Sequence, residues 1–210
     1  MQHADILYNE SEGKAMSRNI WVISDTHYNH ENIIKFIDYK GNRTRDFDTV
    51  EQMNECILDR WNSVVKPGDI VYHLGDVVFG DKEKFKKDWP KFNGSKRLIV
   101  GNHDDIPFLS SGGFFKKVLM WRMFPEYGIM LSHVPLHISS LYRGADMSAP
   151  MYNVHGHIHT MASPEGPYRC VCVEQTNYTP INIEDLAVEA RQFQEDWRNK
   201  NDSERLVSQS

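Results

Sequence analysis

Apolar residues in this chain come in short runs that stop abruptly at polar clusters. NIWVIS (19–24), DIVYHL (69–74) and KRLIV (96–100) are too short for helices and nearly continuous in apolar character, the pattern of buried strands. YRCVCVE (168–174) reads as another strand, and KVLMWRMF, YGIMLSH and MYNVHGH suggest successive strands before it. Helical spacing appears elsewhere. In TVEQMNECILDRWNSVV (49–65), Val50, Met53, Ile57, Trp61 and Val64 recur at steps of three and four, one face of a helix. In INIEDLAVEARQFQEDWRNK, helical from near Glu184, the residues Leu186, Ala190, Phe193 and Trp197 form one apolar stripe. ENIIKFIDY (31–39) is read as a helix, PGD (67–69) as a turn, and KEKFKKDWPKF (82–92) as a short basic helix stopped near Pro90. Strands alternating with helices, then a run of strands, predict an α/β sandwich in one domain over residues 19–200. Residues 1–18 form a polar lead-in, and residues 201–210 a tail expected to fray.

Composition narrows the class. The 210 residues suffice for one full core, and 40% hydrophobic with 25% charged residues is globular rather than disordered. A net charge of −5 argues against gripping nucleic acid by bulk electrostatics without excluding a local basic groove, and nucleic acid is expected as a substrate only. Cys56, Cys170 and Cys172 cannot build a disulfide framework, and a bridge between the last two, side by side on a strand, would be strained. That fits a reducing compartment. No apolar run approaches the roughly 18 residues of a membrane span. MQHADILYNESEGK also lacks the basic-then-apolar plan of a signal peptide. A cytoplasmic protein with no membrane partner is expected, of undetermined oligomeric state.

The strand ends carry the chemistry. NIWVIS runs into Asp25-Thr26-His27, DIVYHL into Gly75-Asp76, and KRLIV into Gly101-Asn102-His103-Asp104. YGIML runs into Ser132-His133, and MYNV into His155-Gly156-His157-Ile158-His159. Ligands of open α/β sheets gather at the carboxyl ends of strands, so five such ends would pool carboxylate, amide and imidazole in one crevice. Asp25 and His27, like His157 and His159, stand two apart and would point the same way from extended backbone. Glycines 75, 101 and 156 precede candidate ligands, where a missing Cβ permits a sharp turn or close approach. Two Asp, one Asn and four His would serve two cations if one carboxylate bridges them, and mixed O and N donors suit Mn, Fe, Co or Zn better than Ca or Mg. Two cations about 3.5–4 Å apart are a standard clamp for phosphoester hydrolysis.

The ordered series DTH, GD, GNHD, SH, HGHIH resembles the calcineurin-like metallophosphoesterase superfamily, whose pattern is DxH, GD, GNH(D/E), H and GHxH in that order. The resemblance spans about residues 19–175. It implies a four-layer α-β-β-α sandwich and a metal-dependent phosphoesterase. Asp25, His27 and His159 would hold the first metal, Asp76 would bridge, and Asn102, His133 and His157 would hold the second. His103 would stabilise the transition state or protonate the leaving oxygen, and a metal-activated hydroxide would attack phosphorus. The implied cofactors are two divalent transition-metal ions, Mn favoured, with Fe, Zn, Co or Ni as alternatives. His133 is favoured over His137, which reads as a loop residue.

Other polar residues have blander readings. His155 belongs to a strand or supports ligands from behind, and His73 sits within its strand. His30 could touch substrate or open a helix, and Asp104 could be oriented by His103 or cap the next turn. Arg43 and Arg45 in GNRTRDF could grip phosphate, with a solvated loop the better reading, and KEKFKK is a charged helix face.

The stretches GDVVFGD and GNHD depart from the GDxxDRG and GNHE of the superfamily's protein phosphatases, whose phosphate-binding arginine is missing here. About fifty residues follow HGHIH, too few for the added domain of the repair nucleases. The layout looks more like the small single-domain phosphoesterases of bacteria and phages. Hydrolysis of a phosphodiester, of a nucleotide or other small molecule, is the favoured activity, with phosphomonoesterase or nuclease as alternatives. A non-catalytic interaction module on the same fold, as in the phosphoesterase-like retromer subunit, is the rival from another class. It is disfavoured because His103 and all seven candidate ligands are present.

Overall fold

A computed structural model describes residues 18–38, 40–142 and 148–208. The lead-in at 1–17 lies outside the described residues. Two sheets form the body, flanked by helices, a mixed α/β sandwich as expected. The first sheet has the order β4-β3-β2-β1-β9, from Lys117–Leu119, Ser95–Ile99, Ile70–His73, Ile20–Ile23 and Ile181–Asn182. Its first four strands run parallel, and β9 pairs antiparallel with β1. The second has the order β5-β6-β7-β8, from Trp121–Phe124, Ile129–Ser132, Tyr152–His155 and Tyr168–Cys170. There β6, β7 and β8 run parallel and β5 antiparallel. The sheets touch where β1 ends: Ser24 pairs with Cys172, just beyond β8.

Side-chain alternation assigns the faces of the first sheet. Ile23, Val71 and Leu98 point to one core, filled by Met53, Ile57 and Trp61 of α1 (Val50–Val64) and Phe85 of α2 (Lys82–Asp88). Thr49 caps α1 by accepting from the Gln52 N–H, and Asp81 caps α2 by accepting from Glu83 and Lys84. Val22, Tyr72 and Ile99 point the other way, to a second core with Ile129, Leu131 and Val154 of the second sheet. Helix α4 (Ile183–Ser208) adds Ile183, Leu186, Ala187 and Ala190 to it.

Four expectations change. ENIIKFIDY is not a helix but one 3-10 turn, Ile33–Lys35, because it supplies a single turn's worth of buried residues, Ile33 and Ile34, before Phe36 turns extended. KVLMWRMF is two strands in different sheets: β4 pairs with β3, β5 pairs with β6, and the chain crosses at Met120. A short helix not anticipated, α3 (Ile106–Ser111), follows the GNHD loop, capped by Asp105 rather than by Asp104. Finally, α4 continues to Ser208, into the segment expected to fray.

Candidate metal centre

All five polar strand ends meet at one edge of the sandwich. The β1 and β2 ends are tied by Asp25 N–H to the Gly75 carbonyl and His27 N–H to the Asp76 carbonyl, both 3.0 Å. The β3 end joins through His103 N–H, which donates to Asp76 Oδ1 at 2.9 Å. The β7 end joins through His157 N–H, which donates to Asp25 Oδ2 at 2.9 Å, and Gly156 N–H donates to the His133 carbonyl at the β6 end. Two glycines make this approach possible. A Cβ on Gly75 would come within 2.5 Å of the Gly101 nitrogen, and one on Gly156 would overlap Asp25 Oδ2 and Ser24 Oγ.

The side chains do not converge by extended alternation. Asp25, His27, Asp76, His157 and His159 all take left-handed φ, between 44° and 73°. Each such residue costs about 1–2 kcal/mol, a strain that surrounding structure must hold in place and that concentrates at functional sites. The turns swing Asp25 with His27, and His157 with His159, inward after their strands end.

The resulting distances suit cation ligands. Asp76 Oδ2 lies 3.6 Å from both His27 Nε2 and His133 Nε2, and Asp25 Oδ1 lies 3.9 Å from both His27 Nε2 and His159 Nε2. These are too long for hydrogen bonds and slightly exceed the roughly 3–3.5 Å between two ligands that share an ion at about 2.1 Å. Asp25, His27 and His159 form one group able to hold a metal, and Asp25, Asp76 and His133 another, their ligand atoms all within 4.8 Å. Asn102 and His157 join at the solvent-facing side: Asn102 Oδ1 is 2.8 Å from His133 Nε2 and 2.9 Å from His157 Nδ1.

Proton bookkeeping sharpens the fit. The Nδ1–H of His133 donates to the Leu74 carbonyl at 2.7 Å, which turns Nε2 into the cluster, 2.8 Å from Asn102 Oδ1. His159 Nδ1–H likewise donates to Glu174 Oε1 at 2.9 Å, which holds the ring with Nε2 turned toward Asp25 Oδ1, 3.9 Å away. Asp25 Oδ1 and both ring nitrogens of His27 are buried and find no hydrogen-bond partner among the described residues. Burial, with Arg45 and the neighbouring imidazoles, pushes His27 far down, keeping it in the neutral form that ligates metal. Burial raises Asp76, against the pull of His133, as expected for a carboxylate lacking a full counter-charge.

His103 stands at the rim, exposed, its ring centroid 5.9 Å from that of His27. Asp104 caps no helix. It accepts from Val77 N–H at 2.9 Å and Gly101 N–H at 2.8 Å, stitching the GNHD loop to the GD loop. His73 is fully buried within β2 against Thr26, pushed down to about 3 by burial and then by His133. His155 is equally buried in β7, bonded to Ser163 and the Gly156 carbonyl. His137 caps a 3-10 turn away from the cluster.

A family model of the calcineurin-like phosphoesterases matches residues 18–208. The chain belongs to that family. Among relatives of this phosphoesterase, an uncharacterised protein of Methanocaldococcus jannaschii is 35% identical over 177 residues, covering 80% of this chain and 88% of the relative. The gene 66 protein of Mycobacterium phage L5 is 27% identical over 173 residues, covering 68% and 78%. A solved structure, a protein of unknown function from Aquifex aeolicus, superposes with a TM-score of 0.57 at 28% identity, covering 80% of this chain and 97% of that one. Family membership implies a metal-dependent phosphoester hydrolase, and the family typically uses a dinuclear divalent centre. No helix among the described residues is long and apolar enough to cross a membrane.

The phosphoesterase also has supporting residues whose role the sequence did not reveal. Arg45 is not in a solvated loop. It is fully buried, donating to the carbonyls of Asp25 and Thr26 at 2.5 and 2.8 Å and to Glu174 Oε1 at 2.8 Å. Arg43, by contrast, is half exposed beside Asp46 and Asp48, as a solvated loop requires. Cys172 donates its thiol proton to Asp25 Oδ2 at 3.2 Å. Glu174 had one available signal: it closes the apolar run YRCVCVE, four residues beyond the end of β8 at Cys170. Arg45 had none, because its partners lie far away in sequence.

Proposed function

We propose that the chain hydrolyses a phosphodiester at a centre of two divalent transition-metal ions, manganese favoured. The position of Asp76 Oδ2, 3.6 Å from an imidazole nitrogen on either side, carries this reading. Asp25, His27 and His159 would hold one ion, Asn102, His133 and His157 the other, and Asp76 would serve both. Such a pair supplies an acidified water as nucleophile and neutralises charge on the phosphoryl group. The protein's own part is positional. Arg45 and Glu174 fix Asp25 and His159 from behind, and the Asp76 carboxylate anchors the His103 backbone. His103, exposed beside the cluster, would then give a proton to the departing oxygen.

A diester is favoured over a monoester by the fate of Arg45. The guanidinium behind the cluster is enclosed and faces protein oxygens, so it is not presented to a phosphate dianion. A diester monoanion needs less cationic help. With Mn²⁺ added, bis-p-nitrophenyl phosphate should be turned over faster than p-nitrophenyl phosphate. A folded, metal-loaded protein that turned over neither would end the proposal. His103→Ala should keep its metal content while the rate falls about 100-fold, the usual loss for one acid–base group. Metal analysis alongside turnover checks this, and an unchanged rate would remove His103 from the mechanism.

A further inference from the structure

Beside the metal centre, three large apolar side chains face solvent instead of the core: Phe36 at 50% exposure, Ile37 at 65% and Phe79 at 42%. Singly, exposed apolar residues are ordinary. Phe36 and Phe79 belong to a chain of rings that starts at the cluster itself. His30 lies 5.7 Å from His27, centroid to centroid, and packs on Phe79 at 4.2 Å. Phe36 meets His30 edge-on at 5.8 Å, and Phe79 meets His103 edge-on at 6.0 Å. Phe79 thus spans the distance between His103 and the outer rings.

The backbone holds this wall in place. The parallel pairing of β1 and β2 resumes after the metal loops, with Tyr28 N–H on the Val77 carbonyl and Phe79 N–H on the Tyr28 carbonyl, both 2.9 Å. Tyr28, Val77 and Val78 are buried by that pairing, while Phe79 turns outward. Phe36 is fixed by its carbonyl, which accepts from Thr44 N–H at 2.9 Å, and Ile37 by its bridge to Arg43. Rings held rigidly at a site's rim lose little conformational freedom when they bind a ligand.

We infer that Phe79, His30 and Phe36 form a stacking wall for the nucleobase of a nucleotide phosphoester whose phosphate lies at the metal centre. The inference rests on the phosphoesterase reading above and names its substrate class. Flat π-faces bind planar bases of any sequence, and each stacked base typically strengthens binding by roughly five- to 150-fold. A nucleotide also sets its base one sugar away from the phosphate, as the wall is set beside the cluster and not on it. A lipid tail would call for an aliphatic groove, whereas the side chains in mutual contact here, Phe36, His30, Phe79 and His103, are all aromatic.

Calorimetric titration of the Mn²⁺-loaded chain with adenosine 5′-monophosphate and with ribose 5-phosphate isolates the base, since phosphate and sugar are shared. The nucleotide should bind at least roughly ten-fold more tightly. Phe79→Ala with Phe36→Ala should bring the ratio of the two dissociation constants close to one, and Phe79→Leu, which keeps bulk but not the ring, should lower it. Equal affinities in the unaltered protein, no heat from either ligand, or a ratio that survives the double substitution would overturn the inference. Turnover of bis-p-nitrophenyl phosphate by the same preparation reports separately on the hydrolase reading. Turnover with equal affinities removes the wall alone, whereas a base preference without turnover keeps the wall and removes the hydrolase.

Discussion

Asp76→Asn should give a folded protein that holds at most one cation per chain and hydrolyses phosphodiesters about 1,000-fold more slowly, a loss of about 4 kcal/mol in transition-state stabilisation. Fold retention follows from the two oxygens doing different work. Oδ1 accepts from the His103 N–H, and an asparagine oxygen can do the same. Oδ2 faces His27 and His133 from 3.6 Å each, and there an amide would bring no negative charge to offset the repulsion between the two proposed cations. Burial compounds the effect, since Asp76 is 2% exposed and water cannot substitute for the lost charge. Elemental analysis for metal content and turnover with Mn²⁺ check this together. Two cations per chain at an unaltered rate would show that Asp76 is not shared.

Arg45→Ala should lower unfolding stability by about 3–5 kcal/mol, the typical cost of leaving one member of a buried ion pair alone. The side chains of Arg45 and Glu174 are 0% and 2% exposed, so the abandoned carboxylate has no solvent to turn to. Removing the charge as well should restore part of the loss: Arg45→Ala with Glu174→Gln is expected to be more stable than Arg45→Ala alone, though below the unaltered protein, because the carbonyls of Asp25 and Thr26 still lose their donor. Thermal denaturation of the three proteins decides. A double variant no more stable than the single one would mean the ion pair is not what Arg45 supports.

The same pair gives a pH dependence of known sign. Burial works to raise Glu174, but Arg45 and the His159 hydrogen bond outweigh it and hold the carboxyl below its ordinary value of 4.5. A carboxyl lowered on folding contributes its stability in full above the ordinary value and loses it as pH falls through the lowered one. The gap in stability between the unaltered protein and Arg45→Ala should therefore narrow as acid is added below about pH 4.5.

Much of the fold was legible because burial imposes period on sequence. β1, β2 and α1 stood out for that reason: nearly continuous apolar runs where a strand is covered on both faces, apolar residues spaced by three and four where a helix covers one. Where the period was carried by too few residues the reading failed. ENIIKFIDY has its isoleucines adjacent, so two buried side chains looked like the start of a helix that a single 3-10 turn satisfies. KVLMWRMF is apolar enough for one strand, and nothing local says that Met120 is where the chain changes sheets. The gathering of polar residues at five strand ends was legible too, since each cluster interrupts an apolar run in a way that loop composition alone does not.

What the sequence determined by itself was the set of strand ends, the donor types placed there, and the family those motifs mark. The tertiary structure alone decided how they are aimed and held. Five site residues reach the cluster through left-handed turns, not extended alternation, because the strands end before the ligand atoms must converge. Arg45 and Glu174, 129 residues apart, became one buried pair behind Asp25 and His159. Local sequence records the preferences of neighbouring residues, whereas the choice between a solvated arginine and a buried one is made by charges that only folding brings within reach.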